Sequence, residues 1–180
     1  MSSAYKLLPH YTYEDYCNWE GQWELIEGIP FAMSPAPRPE HQLVATNLAA
    51  ELRTALKRST CSCKVYQPID YKISEETIFN PDLLIVCKPI EKAFLDFPPE
   101  LVVEILSKAT QFKDRNTKFS FYEKEGIPYY LLVDVDKKTV EVYQLTNDQT
   151  YERREVDLAS SYSFTISSCA FDMTFNDIWE

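Results

Sequence analysis

At 180 residues and 45% hydrophobic content the chain can bury a core without disulfide or metal staples, as an ordinary globular protein does. No stretch is apolar for the length a membrane crossing needs, and the opening MSSAYKLLPHYTYEDY has no apolar signal region, so neither a membrane protein nor a secreted one is expected. A formal net charge of −10 argues against a protein that holds nucleic acid by phosphate neutralisation alone, yet leaves room for a metal enzyme, because a carboxylate-bound cation supplies positive charge locally.

Thr12-Tyr-Glu-Asp15 has the form of a helix-opening cap and predicts a short helix near 12–19. WELIEGIPFAM reads as two β-prone runs turned at Glu27-Gly28, a hairpin. The proline-rich stretch 34–40 predicts a loop, with Pro39 placed to open a helix. That helix, near 40–58, aligns Val44, Leu48, Leu52, Ala55 and Leu56 on one face and carries Arg53, Lys57 and Arg58 in its later turns. A strand over 63–73 is interrupted by Pro68, which suits an edge or a bulge.

Residues 81–87 and 100–106 are near-continuous apolar runs of strand length, the pattern of central strands covered on both faces. A polar, proline-rich loop joins them. A second helix is expected over 110–125, ended by Gly126 and Pro128. A buried strand over 128–135 turns at Asp136-Lys137-Lys138 into another over 139–145. Further strands are expected near 149–155 and 161–166, with Phe171, Phe175 and Trp179 docking a last helical turn. This order predicts an α/β (α+β) fold, a mixed β-sheet flanked by helices with an N-terminal β-hairpin. A single domain is expected, made of a helical extension (1–22), a core (23–145) and a C-terminal segment (146–180).

Cys17, Cys61, Cys63, Cys87 and Cys169 are odd in number and lack framework spacing. The Cys61-Ser-Cys63 pair has no second pair or nearby histidines to make a zinc site, and a reducing cytoplasm is the expected compartment.

The chemistry concentrates between Pro81 and Lys118. Asp82 opens one apolar run and Glu104 sits in the middle of the other. A carboxylate buried without a partner costs several kcal/mol or neutralises itself, so each needs a cation. If the two strands are neighbours, both oxygens can hold one Mg²⁺ or Mn²⁺, hard ions that take oxygen ligands and keep several waters. On the following helix Asp114 and Lys118 are four apart and share a face, beside the apolar stripe of Phe112, Phe119 and Tyr122. A lysine there can orient or deprotonate a metal-bound water. Each residue also has a structural reading: Asp82 as a loop cap, Glu104 in a pair with Lys118 or Arg115, Asp114 and Lys118 as a surface helix pair.

The succession WELIEG, EHQLV at a helix start, PDLLIV, ELVVEILSKAT with D-R-N-T-K, and YEKEGIPYYLLVD resembles the Uma-type family of restriction endonuclease-like proteins, within the PD-(D/E)XK nuclease superfamily. The resemblance covers about residues 23–145 and implies a restriction-endonuclease-like fold. It makes Asp82 and Glu104 the metal-binding acids and adds the Ile105 backbone carbonyl as a ligand. The superfamily places its lysine two residues after the glutamate, where this chain has Leu106; the family's D-x-x-x-K matches Asp114 and Lys118, making Lys118 the migrated lysine. Glu27 and His41 match two further family positions, and Gln67, Ser107 and Asp114 are candidates to line the site. Structural readings stand beside these: Glu27 as a hairpin-turn residue, His41 as a packed or capping imidazole. His10 reads as a surface residue.

Two functions follow. One is a Mg²⁺-dependent phosphodiester hydrolase acting on DNA by resemblance, working as a homodimer, with Asp82 and Glu104 on the metal, Lys118 assisting the attacking water, and Glu27 and His41 in support. The other is a catalytically inactive module of the same fold that binds protein or nucleic acid. Arg53, Lys57, Arg58, Lys64 and Lys113 could form a local basic rim in either.

Overall fold

The computed structural model describes residues 9–33, 37–166 and 169–180. Residues 34–36 of the proline-rich loop and 1–8 of the N-terminal extension lie outside them. In chain order the elements are α1 (Tyr13–Tyr16), β1 (Trp23–Ile26), β2 (Ile29–Ala32), α2 (Pro39–Arg58), β3 (Lys64–Tyr66), β4 (Tyr71–Ser74), β5 (Thr77–Phe79), β6 (Leu83–Val86) and β7 (Leu101–Leu106). Then follow α3 (Gln111–Lys113), a π-helical turn (Asp114–Lys118), α4 (Phe119–Lys124), β8 (Tyr129–Asp134), β9 (Thr139–Leu145), β10 (Tyr151–Arg154), β11 (Tyr162–Ile166), β12 (Cys169–Met173) and a 3₁₀ turn (Asn176–Trp179).

The chain gathers into two compact units, one of residues 1–36, 69–80 and 92–97, the other of residues 37–68, 81–91 and 98–180. This division differs from the expected segments at 1–22, 23–145 and 146–180. The reason is pairing: β1 finds its second neighbour in β5, about fifty residues on, where Leu25 meets Ile78. The first unit holds a four-stranded sheet in the order β2-β1-β5-β4. Its β1–β2 hairpin turns at Glu27 (φ 49°) and Gly28 (φ 76°), two positive φ values in succession as in a type I′ turn. A side chain at Gly28 would run into the His10 ring, which itself pairs with Glu76 at 2.9 Å.

Pro68 does more than interrupt a strand. β3 ends before it on the edge of one sheet and β4 begins after it in another. The β4–β5 pair was not expected, because Glu75-Glu76 offers none of the usual turn residues.

The second unit is built on a six-stranded sheet in the order β10-β9-β8-β7-β6-β3, in which β7 and β8 run parallel and every other pair antiparallel. The parallel pair needs a crossover, supplied by α3, the π turn and α4. All six residues of β7 are buried, as are all four of β6, so both faces are covered. One face, through Leu83, Ile85, Val103 and Leu131, packs with the predicted apolar face of α2 and with Phe164 and Phe171 of the β11–β12 pair. Leu48 and Leu52 of α2 are fully buried, and truncating either to alanine is expected to cost about 2–5 kcal/mol. On the other face Tyr122 and Phe119 pack on Tyr130 at ring-centroid distances of 5.1 and 6.1 Å. Gly126 (φ 74°) ends α4 as expected: its N–H donates to Glu123 O and that of Ile127 to Tyr122 O, the orphan carbonyls of the last turn.

The cysteines depart from expectation. Cys61 is bonded to Cys169 and Cys63 to Cys87, leaving Cys17 free. Spacing could not show this, since the pairings come from tertiary register: Lys64 opposite Val86 sets Cys63 opposite Cys87. No helix among the described residues is long and apolar enough to cross a membrane.

Candidate functional site

β6 and β7 deliver the two acids to one place. Leu83 pairs with Val103 in an antiparallel register, so one step further Asp82 stands opposite Glu104. Asp82 precedes β6 and bends its side chain onto the neighbouring strand, where Oδ2 accepts the Ile105 N–H at 2.7 Å. A side-chain oxygen thus takes a ladder hydrogen bond, which fixes the carboxylate while its side chain stays 20% exposed.

His41, in the first turn of α2, faces the same Oδ2 with Nε2 at 3.4 Å, and its Nδ1 is buried without a hydrogen-bond partner among the described residues. Burial opposes protonation of this imidazole. The hydrogen bond and charge of Asp82, helped by the Ile105 backbone, outweigh it and raise the pKa above the usual histidine value.

Glu104 belongs to a second cluster. Its Oε1 accepts Lys118 Nζ at 2.8 Å and the Tyr122 hydroxyl at 3.0 Å. Lys118 also stands 3.6 Å from Asp114 Oδ1, the two residues that bound the π turn. Such widened turns occur at functional sites more often than their rarity predicts. Side-chain exposures of 5% for Glu104 and 2% for both Lys118 and Asp114 show that this cluster is closed to water. Tyr130 donates its hydroxyl to Asp114 O at 2.9 Å. Burial, then the charges of Glu104 and Asp114, push its phenol well above the ordinary range, so it stays a neutral donor.

The geometry therefore joins Asp82 with His41 and Ile105, and Glu104 with Lys118 and Asp114. Lys118 does reach the glutamate, and Leu106, two residues after Glu104, is 7% exposed in the core. Ser107 closes on Thr110, hydroxyl to hydroxyl at 3.0 Å and Thr110 N–H to the Ser107 hydroxyl at 3.1 Å, in the turn that leads into α3. Gln67 is exposed, with no side-chain hydrogen bond among the described residues. Glu27 lies in the other unit, exposed at the hairpin turn, where its N–H donates to Thr77 Oγ1 at 3.2 Å. Arg53, Lys57, Arg58 and Lys64 are exposed.

Sequence reasoning overlooked the Tyr122 hydroxyl as a donor to Glu104, although its spacing of four from Lys118 puts both on one helix face. It also overlooked the bidentate Arg115–Glu141 pair at 3.0 and 2.7 Å, joined by the Tyr143 hydroxyl at 2.8 Å. The pair's hydrogen bonds hold the Glu141 carboxyl below its usual range despite burial.

Whether a divalent ion fits is decided by the donors. Among the described residues no group of three or more His, Cys, Asp and Glu is arranged to hold a metal. Asp82 Oδ1 accepts no hydrogen bond among them, so that oxygen can take an ion whose remaining ligands are mostly water, the habit of Mg²⁺. A water-rich site through one or two carboxylates fits this arrangement; a cage of protein ligands does not.

Residues 11–169 match the model of the Uma2 family, described as "Putative restriction endonuclease". The chain is 25% identical over 148 residues to an uncharacterized protein of Synechocystis sp., covering 78% of this chain and 77% of that one. It is also similar in fold to the crystal structure of a protein from Anabaena variabilis described as a "putative nuclease belonging to DUF820", with a TM-score of 0.69, 17% identity, and 93% of this chain and 97% of that one covered. The mixed sheet flanked by helices agrees with the restriction-endonuclease-like fold expected from sequence.

Proposed function

We propose, for a chain that belongs to the Uma2 family, described as "Putative restriction endonuclease", that its activity is ion-dependent hydrolysis of phosphodiester bonds in DNA. The observation that carries this reading is the pairing of Asp82 with Glu104 across β6 and β7, each carboxylate with its own basic neighbour.

Asp82 and Glu104 would hold Mg²⁺ or Mn²⁺, with the Ile105 carbonyl as a further ligand. When bound, such an ion supplies Lewis acidity to a phosphoryl oxygen and acidifies water. Lys118 orients Glu104 by donating to its Oε1 at 2.8 Å. Because Lys118 donates to that carboxylate, its help to an attacking water would pass through Glu104. His41 is the more open basic group and can hold a proton beside Asp82. Glu27, held in a positive-φ conformation that costs a non-glycine residue about 1 kcal/mol, is read as a supporting residue because such strain gathers at functional positions. The exposed Arg53, Lys57, Arg58 and Lys64 offer contacts to phosphates, and two copies cutting two strands complete the reading.

A second reading has an observation in its favour. Lys118, Glu104 and Asp114 are sealed from water, as befits an ion cluster that sets the fold of an inactive binding module. Plasmid and single-strand cleavage with Mg²⁺ or Mn²⁺ separates the two, comparing wild type with Asp82→Asn, whose amide oxygen can still accept the Ile105 N–H. Ion-dependent cleavage lost in the variant supports hydrolysis. No cleavage by either protein, with DNA bound equally well by both, supports the inactive module.

A further inference from the structure

In the N-terminal unit Tyr13, Tyr16, Trp19 and Trp23 wall a cavity of about 350 Å³ that also takes in Asp70 and Asn80. That volume lies in the range of about 300–1,000 Å³ usual for small-ligand sites. The rings meet at steep angles. Tyr16 meets Trp19 edge to face at 5.6 Å and 62°, and Trp19 meets Trp23 at 5.5 Å and 60°, so the aromatic lining is one continuous packed series of rings.

Asp70 supplies the charge. Its Oδ1 accepts the Tyr16 hydroxyl and the Asn80 amide, each at 3.0 Å, which fixes the carboxylate among the rings. Its Oδ2 accepts no hydrogen bond among the described residues. Burial, then the charge of Asp70, raises the Tyr16 phenol, so Tyr16 remains a neutral donor. Rings of the same unit already hold one cation: Lys72 Nζ lies 4.2 Å from the centroid of Tyr13 and 5.4 Å from that of Phe94.

Charge then selects the ligand. No basic side chain lines the cavity. Among the described residues the unit's lysines are Lys72 and Lys92, tied to Glu75 and Asp96. A phosphate or carboxylate ligand would meet Asp70 with no basic side chain in the lining to offset the repulsion. A cation with an apolar shell gains both the ring faces and the carboxylate, the combination that recognises alkylated ammonium groups. We propose that this cavity binds an alkylammonium group, carried by a small molecule or by a methylated lysine side chain. The site is separate from the hydrolytic reading and does not rest on it.

Intrinsic fluorescence reads this directly, since two of the three tryptophans, Trp19 and Trp23, line the cavity. Wild-type protein is titrated with choline, with tetramethylammonium, with the neutral choline isostere 3,3-dimethylbutan-1-ol, and with a short peptide bearing trimethyl-lysine. A saturable response to the cations, at least about tenfold tighter than to the neutral isostere, is expected. Tighter binding of the peptide than of choline identifies a modified side chain as the source; the reverse identifies a free ligand. Asp70→Asn and Trp19→Leu, checked for folding by thermal melting, should each weaken binding by about tenfold. Equal response to the isostere, absence of saturation, unchanged affinity in Asp70→Asn, or a stronger response to adenosine monophosphate overturns the proposal. The comparison of cation with isostere needs no variant, so it stands even if a substitution unfolds the unit.

Discussion

Replacing Lys118 by methionine removes one ammonium from between two buried carboxylates. Lys118 Nζ is 2.8 Å from Glu104 Oε1 and 3.6 Å from Asp114 Oδ1, and all three side chains are 5% exposed or less. Methionine fills most of the volume, so the cavity cost is small and the electrostatic one dominates. Breaking a buried ion pair by removing one partner costs about 3–5 kcal/mol, because the other charge stays buried. Against a total stability of about 5–15 kcal/mol the loss is severe. At about 2–4 °C per kcal/mol for a chain of this size, the melting temperature should fall by roughly 6–20 °C. Urea unfolding followed by fluorescence, with the disulfides intact, measures the free energy by linear extrapolation. The double variant Lys118→Met with Glu104→Gln should lose less than the two single variants added together, by about 1–3 kcal/mol, since the orphaned charge is gone. A single-variant loss under about 1 kcal/mol, the value of an exposed pair, together with strict additivity, would refute the view that Lys118 is held by Glu104 in a closed site.

Ion binding is read by stability as well as by cleavage: at about a hundred times its Kd, Mn²⁺ should stabilise wild type by about 2.7 kcal/mol, a rise of about 5–10 °C, and leave Asp82→Asn unmoved. An equal rise in both proteins would put the ion elsewhere. Glu141→Gln should cost about 1.5–3 kcal/mol at neutral pH, because the carboxylate accepts charged hydrogen bonds from Arg115. The folded carboxyl titrates below its unfolded value near 4.5, so the contribution is full above that pH and lost as pH falls through the folded pKa; a gap to wild type that persists unchanged at the acid end contradicts this. Thiol titration in denaturant without reductant should find Cys17 alone, and recovery of all five thiols per chain would exclude both disulfides. Glu27→Gly should raise stability by about 1 kcal/mol by relieving the positive φ while lowering cleavage; unchanged cleavage would leave Glu27 as a turn residue only.

The central strands were legible because their chemistry is local. Apolar runs of strand length at 81–87, 100–106 and 128–135 became β6, β7 and β8, and the helix face of Val44, Leu48 and Leu52 met them as its spacing required. What the sequence hid depends on partners far along the chain. β5 belongs with β1, Cys61 with Cys169 at a separation of 108 residues, and neither relation leaves a mark in the local pattern. The site followed the same rule. Asp82 and Glu104 stood out because a carboxylate in an apolar run demands a partner, and Lys118 because four residues of helix bring it beside Asp114. That the Tyr122 hydroxyl would share Glu104 Oε1 depends on helix placement over the sheet, which periodicity does not specify.

The two acids, adjacent in register, differ in what they can meet. Asp82 keeps an oxygen open in a side chain 20% exposed, while Glu104 is 5% exposed and donated to by Lys118 and Tyr122. Asp82 would therefore be the acid open to an ion from solvent, and Glu104 would be available to one only in competition with the Lys118 ammonium. This competition gives the two acids different tests. Substituting Lys118 perturbs fold and chemistry together, so lost cleavage in that variant says nothing about mechanism until its stability is measured. Substituting Asp82 by asparagine keeps the ladder hydrogen bond and removes only the open charge. If Mn²⁺ stabilises the wild type and the Asp82→Asn chain alike, the ion does not bind through Asp82; only a rise that is kept in Asp82→Asn and lost in Glu104→Gln would make the acid in the core its anchor.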